Sequence, residues 1–491
     1  MAVLSLERRR QLTLAATILG SSLAFIDATV VIVAMPTIER DFDIGLAGEQ
    51  WIFLAYSLTL AALYLVGGAT GDRLGRRKTF TAGVVAFAAA SALAGAAPNE
   101  AILILARALQ GVGGAFLTTN SLALIRAVYV DQAGRAIGLW TALTGVATLA
   151  GPPAGGALVE WVSWRWIFFI NLPLAAATLV LARAGRCDER GQLRTGHLDM
   201  PGTVLAAVGF GALTYAMVEG ADRGFGRYWW AFLLAVATLA AFAWVERRSD
   251  EPMLPPALFR RRNFAASNGE TFLVYAGLYG TFVFFTLYVQ FLGYTPFAAG
   301  LLNIPSTAVM IALAARFGAL ADKHGPRLFL TAGPALMALG TVVILLMREK
   351  DDLWTAGIPG LLVFSLGMSM MVAPITATAL KSAPSDYAGV ASGVNSTVSR
   401  LGSLLAVAVI GLVISLVFHA RVDSAAAVPL AKHQRGAEVR AASTDAFRAG
   451  MGVAAFLLVA GASVGALGIS NADALGERKG VSEQAPAPVE T

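Results

Sequence analysis

The chain has 491 residues, of which 57% are hydrophobic and only 14% charged, with a mean hydropathy of +0.67. About a quarter of a soluble domain is charged, so a water-soluble globular fold is excluded and a membrane protein is required. The net charge of +6 is accounted for by basic loops on one side of a bilayer and calls for no nucleic acid; the single cysteine, Cys187, rules out an intrachain disulfide.

Apolar runs recur from end to end, each long enough to cross roughly 30 Å of hydrocarbon as a helix. In chain order they cover about 12 to 34, 50 to 70, 79 to 97, 101 to 124, 135 to 159, 166 to 182, 200 to 218, 229 to 245, 264 to 291, 299 to 319, 328 to 347, 356 to 380, 391 to 417 and 450 to 470. A membrane barrel would read as short alternating segments instead. The first run holds Asp27, ends at Pro36 and lacks a small-residue cleavage pattern, so it reads as a retained span and not a signal peptide. With the N-terminus inside, the inner segments hold about twice as many Lys and Arg as the outer ones. An even number of spans then puts both termini in the cytoplasm.

One internal repeat divides the chain. "GATGDRLGRRKTF" starts at Gly68 and "GALADKHGPRLFL" at Gly318, and in that frame Gly68, Ala69, Asp72, Gly75 and Arg77 match Gly318, Ala319, Asp322, Gly325 and Arg327. The first copy follows span 2 and the second span 10, two spans later than a pair of six-span halves would place it. The layout is therefore a cytoplasmic tail (1–11), a six-helix bundle (12–182), a linker with two inserted spans (183–263), a second six-helix bundle (264–470) and a cytoplasmic tail (471–491), whose polar, Pro-rich end has no core to bury.

Charges inside spans are costly and mark function first. Asp27, in "FIDATVVIVAMP", is either a proton site or a structural acid bonded to a neighbouring helix. Arg107, in "ILILARALQGVGGAF", keeps its proton and must face a carboxylate, carbonyls or water. Its role is to tune an acid or couple proton and substrate, or else to link helices statically. Glu270 is a second protonatable candidate. Arg400 is a third embedded cation, able to snorkel toward the cytoplasm. In the loop copies, Gly71 and Gly75 permit a tight turn, and Asp72 can accept bonds from a helix N-terminus or from Arg73, Arg76 and Arg77. With Asp322 and Gly325 they compose a charged latch, or merely the basic loop that topology demands.

The fifth span, "GLWTALTGVATLAGPPAGGALV", carries Gly145, Gly151, Gly155 and Gly156 with Pro152 and Pro153. Small residues let helix backbones approach, and each proline removes a backbone donor. The expected product is a bent, closely packed helix that blocks proton leakage between halves. Tyr275 and Tyr279, within an aromatic stripe of span 9, together with Gln290, Asn395 and Arg400, are candidate substrate contacts; Met368, Met370 and Met371 add a flexible surface. Such stripes also pack against helices or lipid.

The chain resembles fourteen-span drug:proton antiporters of the major facilitator superfamily over nearly its whole length. "GATGDRLGRRK" is similar to that family's loop motif, "LARALQGVGGA" to its span-4 arginine motif and "GVATLAGPPAGG" to its antiporter signature; "WRWIFFINLP" and "YVQFLGYTPFAAGLLNIP" also fit this branch. The family's first-span motif usually has an asparagine where Ile32 stands, which predicts a missing polar contact beside Asp27. The resemblance implies an all-α fold and proton-driven efflux of small molecules through the cell membrane; the expected substrate is apolar or cationic, and the expected state a monomer. A dedicated exporter of one metabolite and a non-transporting sensor are the alternatives. No phosphate-loop or metal-binding pattern is present, so the expected energy source is the proton gradient, with no cofactor, metal or enzymatic reaction.

Overall fold

The computed structural model describes residues 5–129, 133–185, 200–248, 256–384, 388–422, 427–431 and 436–474. In a bilayer every backbone donor and acceptor must be satisfied within the segment, and the described chain meets this condition with helices alone. The first half comprises α1 (Leu6–Phe42), α2 (Leu46–Leu74), α3 (Arg76–Gly95), α4 (Glu100–Val128), α5 (Ala133–Trp161) and a broken span of α6 (Trp166–Phe169) and α7 (Asn171–Ala184). Then come the inserted α8 (Met200–Arg223) and α9 (Phe225–Arg248) and the short α10 (Pro256–Phe259). The second half holds α11 (Arg262–Phe291), another broken span of α12 (Pro296–Leu301) and α13 (Asn303–His324), α14 (Arg327–Ile344), α15 (Ile358–Lys381) with a π turn before it, α16 (Ala388–His419) and α17 (Ala437–Gly468). Among the described residues thirteen spans are long and apolar enough to cross a membrane. The 29-residue α5, kept continuous through both prolines, completes the fourteen.

Side-chain caps start several helices: Asn99 accepts the N–H of Ile102 at 3.0 Å, and Thr295 that of Ala298 at 3.2 Å. The two loop copies adopt the same turn. Gly75 (φ 97°) joins α2 to α3 and Gly325 (φ 88°) ends α13, both in a region that disfavours side chains. The internal repeat is thus a repeat of structure. It extends to packing: Gly83 of α3 lies against Leu117 and the Gly113 carbonyl of α4, and Gly333 of α14, in the matching position, against Met371 and the Gly367 carbonyl of α15.

The face at which α1 begins will be called the near face and the opposite one the far face. Toward the far face one continuous apolar core spans both halves, from Val30, Val31 and Ile38 of α1 to Phe284 and Val289 of α11, Ile410 and Ile414 of α16 and Phe447 of α17. Toward the near face the core divides. Leu23, Phe80, Val84, Phe87 and Leu117 form one cluster in the first half, and Leu330, Met337, Phe364, Met371 and Leu458 another in the second. The halves are therefore joined at the far end and separately packed at the near end. The inserted α8 leans on α2 and α16, while α9 turns Trp229, Leu233, Val236 and Trp244 outward, as a lipid-facing helix would.

Candidate functional site

The two strongest embedded charges meet. Asp27 of α1 and Arg107 of α4 form an ion pair with both side chains wholly buried. Arg107 Nη1 also donates to Gln110 Oε1 (2.8 Å) and Nε to the Ile52 carbonyl (3.1 Å). Its guanidinium lies 4.5 Å from the Tyr56 ring centroid and 5.8 Å from that of Phe168. The other carboxylate oxygen, Asp27 Oδ1, accepts from Gln110 Nε2 (3.0 Å) and Asn171 Nδ2 (3.1 Å), and both amides also donate to Ser91 Oγ, at 2.8 and 3.3 Å. Five helices, α1 to α4 and α7, thus build one polar knot inside the first half. Arg107 Nη2 and Asn171 Oδ1 are buried without a hydrogen-bond partner among the described residues.

This geometry modifies two sequence expectations. The asparagine absent at Ile32 is not needed, because Asn171 and Gln110 supply the polar contacts and Ile32 belongs to the apolar core. Asn171 lies in the "INLP" stretch of the sequence, but nothing local announces that it turns toward a residue 144 positions away. Glu270 takes no part in the knot. It sits inside the second half, close to Gly465 of α17, and neither of its oxygens has a hydrogen-bond partner among the described residues.

The glycine-proline stretch of α5 packs on two faces. A side chain at Gly151 would strike Thr29 and one at Gly155 would strike Val30, both on α1; Gly156 abuts Pro296 and Phe297 of α12, and Gly300 returns the contact against Pro152. Gly145 is the exception, with open space around it. At 3.6 residues per turn, six positions carry it about 240° from Gly151, and so off this surface. The proline at 152 deprives the Thr148 carbonyl of its helical donor, and the Thr29 hydroxyl approaches that carbonyl at 3.5 Å.

Over residues 17–407 the sequence matches the family described as the Major Facilitator Superfamily. The chain belongs to the major facilitator superfamily. It is 35% identical to the multidrug resistance protein Stp of Mycobacterium tuberculosis, over 84% of this chain and 77% of that one. It is likewise 35% identical to the puromycin resistance protein pur8 of Streptomyces alboniger, over 82% of each. Among solved structures it resembles a bacterial homologue of the human lysosomal transporter Spinster in an inward-facing, unoccupied conformation, with a TM-score of 0.67 and 18% identity over 98% of this chain and 99% of that one. That likeness speaks to the superfamily fold only.

Superfamily halves meet along a seam, and here its polar part lies toward the far face. Gln50 Nε2 donates to the Val407 carbonyl (2.8 Å), Gln290 Nε2 to the Val33 carbonyl (3.1 Å) and the Phe297 N–H to Glu160 Oε2 (3.2 Å). Gln290, expected among substrate contacts, is thus engaged in closing the seam; Gln50 and Glu160 were not anticipated, because a polar residue at a span end reads as ordinary solvation. Asn395 donates to Thr271 Oγ1 (2.9 Å) and Asn268 Oδ1 (3.4 Å), which ties α16 to α11. Most of the aromatic stripe is packing: Tyr288 stacks on Phe447 with centroids 3.8 Å apart, Phe282 meets Phe364 edge-on, and Met368 and Met371 lie in the second-half core. Tyr275 and Tyr279 stay partly exposed, as does Arg400, whose guanidinium stands 4.7 Å from the Tyr64 ring across the seam.

At the near face Arg76 Nη1 reaches the Ala123 carbonyl of α4 (3.4 Å), and Asp322 pairs with Lys381 of α15 (2.5 Å). Arg327 Nε donates to the Ala466 carbonyl and its N–H to Asn471 Oδ1, at 2.8 and 3.0 Å. Each of these contacts stays inside one half. The Asp72 side chain lies outside the described residues.

Proposed function

We propose that this protein exports amphipathic, drug-like molecules across the cytoplasmic membrane in exchange for protons, by alternating access between its halves. The kinship to two resistance proteins supports the cargo class, and the basic near-face loops support a cytoplasmic near face and cytoplasmic termini. The observation that carries the coupling step is the sealed Asp27–Arg107 pair. It is the one titratable ion pair among the described residues that is wholly buried, and it is held by donors from helices that must shift if the first half deforms.

In the arrangement joined at the far face, Asp27 accepts bonds on both oxygens and has no donor function to offer. Opening the far face gives external protons a route to it. Protonation ends the ion pair and leaves Arg107 as a buried cation, so the protonated and paired forms favour different arrangements of the helices. That difference is what links a proton to a conformation. On the return to the near-open state the guanidinium re-forms its pair and the proton leaves inward. Substrate enters from the near side and competes for the arrangement that the paired form stabilises. Glu270, whose oxygens find no hydrogen-bond partner among the described residues, stands outside the coupling step. The loop copies steady each half at the near face, and the transporter works as a monomer with the proton gradient as its energy source and no covalent step.

Asp27→Asn, purified and reconstituted in liposomes, tests this. Uphill transport of a dye driven by an imposed pH gradient should vanish, whereas exchange of labelled for unlabelled dye without a gradient should persist. Undiminished uphill transport by Asp27→Asn would remove Asp27 from the coupling mechanism.

A further inference from the structure

Arg400 is the embedded cation that the pairs leave over. Asp27 is engaged by Arg107, and no carboxylate among the described residues forms an ion pair with Arg400. None of its nitrogens finds a hydrogen-bond acceptor there either; its guanidinium lies over the face of Tyr64, on the other side of the seam. Two other arginines at the near face do find acceptors. Arg262 bonds the Leu467 and Gly468 carbonyls (2.8 and 2.9 Å), and Arg327 the Ala466 carbonyl (2.8 Å).

A second feature adjoins it on the same helix. Thr397 and Leu401, which flank Arg400 on α16, line an apolar cavity with Leu58 and Ala61 of α2, Phe210 of α8 and Phe242 of α9. The Thr397 hydroxyl is buried and has no partner. An unpaired guanidinium, a free hydroxyl, aromatic rings and an apolar recess in one neighbourhood call for a ligand with a negative head and an oily body.

We propose that Arg400 receives the acidic group of an amphipathic organic anion whose apolar part lies in the cavity between α2, α8, α9 and α16. This rests on the export reading above and sharpens it. The sign of the charge is opposite to that of the apolar or cationic cargo expected from the sequence. It also gives the inserted helices a task, since α8 and α9 form one wall of the recess.

The test is binding, measured without a gradient so that its failure is separable from a failure of proton coupling. The full chain in nanodiscs of zwitterionic lipid is titrated with carboxyfluorescein and with the cationic dye rhodamine 6G, followed by fluorescence anisotropy. The anion should bind and the cation should bind more weakly. Arg400→Gln should weaken carboxyfluorescein by about tenfold or more, the loss of one charge-assisted hydrogen bond, while Arg400→Lys, which keeps the charge, should stay near the parent. If phosphatidylglycerol in the nanodisc displaces the dye from the parent but not from Arg400→Gln, the same site takes its anion from the lipid. Absent carboxyfluorescein binding, equal binding by Arg400→Gln, or preference for the cation would each overturn the proposal. None of these outcomes bears on the Asp27→Asn experiment.

Discussion

The Asp27–Arg107 pair shows what a single residue can and cannot reveal in sequence. An acid and an arginine inside apolar runs are conspicuous, because each would be expelled unless something compensated it. That they compensate each other is a fact of folding, since the partners are 80 positions apart and on different helices. Removing one of them strands the other. Arg107→Ala should lower stability by about 3–5 kcal/mol, the cost of an uncompensated buried charge, and adding Asp27→Ala should restore at least half of the loss. Melting temperatures of the single and double variants in detergent decide the matter; a double variant no more stable than Arg107→Ala would show that the charges do not act as a pair. Glu270 is the opposite case. It was equally visible as an intramembrane acid, yet neither of its oxygens has a partner among the described residues, so an amide of the same shape breaks no bond there. Glu270→Gln should keep gradient-driven transport within about twofold of the parent, and a collapse of uphill transport would restore it to the coupling mechanism.

At the level of elements, the spans themselves were legible, since runs of apolar residues of membrane length leave few alternatives. Their ends and breaks were less so. The last helix begins at Ala437, well before the apolar run at 450, because the polar segment "AEVRAASTDAFRA" continues it beyond the hydrocarbon. The tenth span breaks at Leu302, between Gly300 and Pro305, whose missing N–H deprives the Leu301 carbonyl of its helical donor, and α12 lies on α5. The glycines of α5 were visible as a group, but only the helix angle sorts them into those facing α1, those facing α12 and the uninvolved Gly145. This sorting has a measurable consequence. Leucine at Gly155 or Gly156 forces overpacking and should cost about 1–3 kcal/mol each, whereas Gly145→Leu should change stability by no more than about 0.5 kcal/mol. Thermal melting of the three purified variants checks the order, and a Gly145 variant as unstable as the other two would contradict the observed packing.

For the whole molecule, the duplicated loop announced two related halves, and the offset of two spans announced the insertion. How the halves lean on each other was beyond reach of the sequence, because it depends on which of several arrangements the seam favours. In the arrangement seen here a shared core and three hydrogen bonds among the described residues hold the far face together, while the near face has two separate cores. Two of those bonds come from glutamine side chains onto backbone carbonyls of the opposite half, so they can be removed without touching the proton site. Hydrogen bonds between membrane helices contribute about 0.6 kcal/mol each. Losing both at Gln50→Leu and Gln290→Leu should therefore shift the balance toward the far-open form by about 1.2 kcal/mol, or roughly eightfold. A single reporter can read this shift. In a Cys187→Ser background, Val33→Cys places a thiol on α1 at a buried position of the far seam while leaving its backbone carbonyl in place. The thiol should react about eightfold faster with a membrane-impermeant maleimide added from the far side in the doubly substituted protein. An unchanged rate would mean that the apolar core alone closes the far face, and that the glutamines serve only to satisfy carbonyls that the helices leave unpaired.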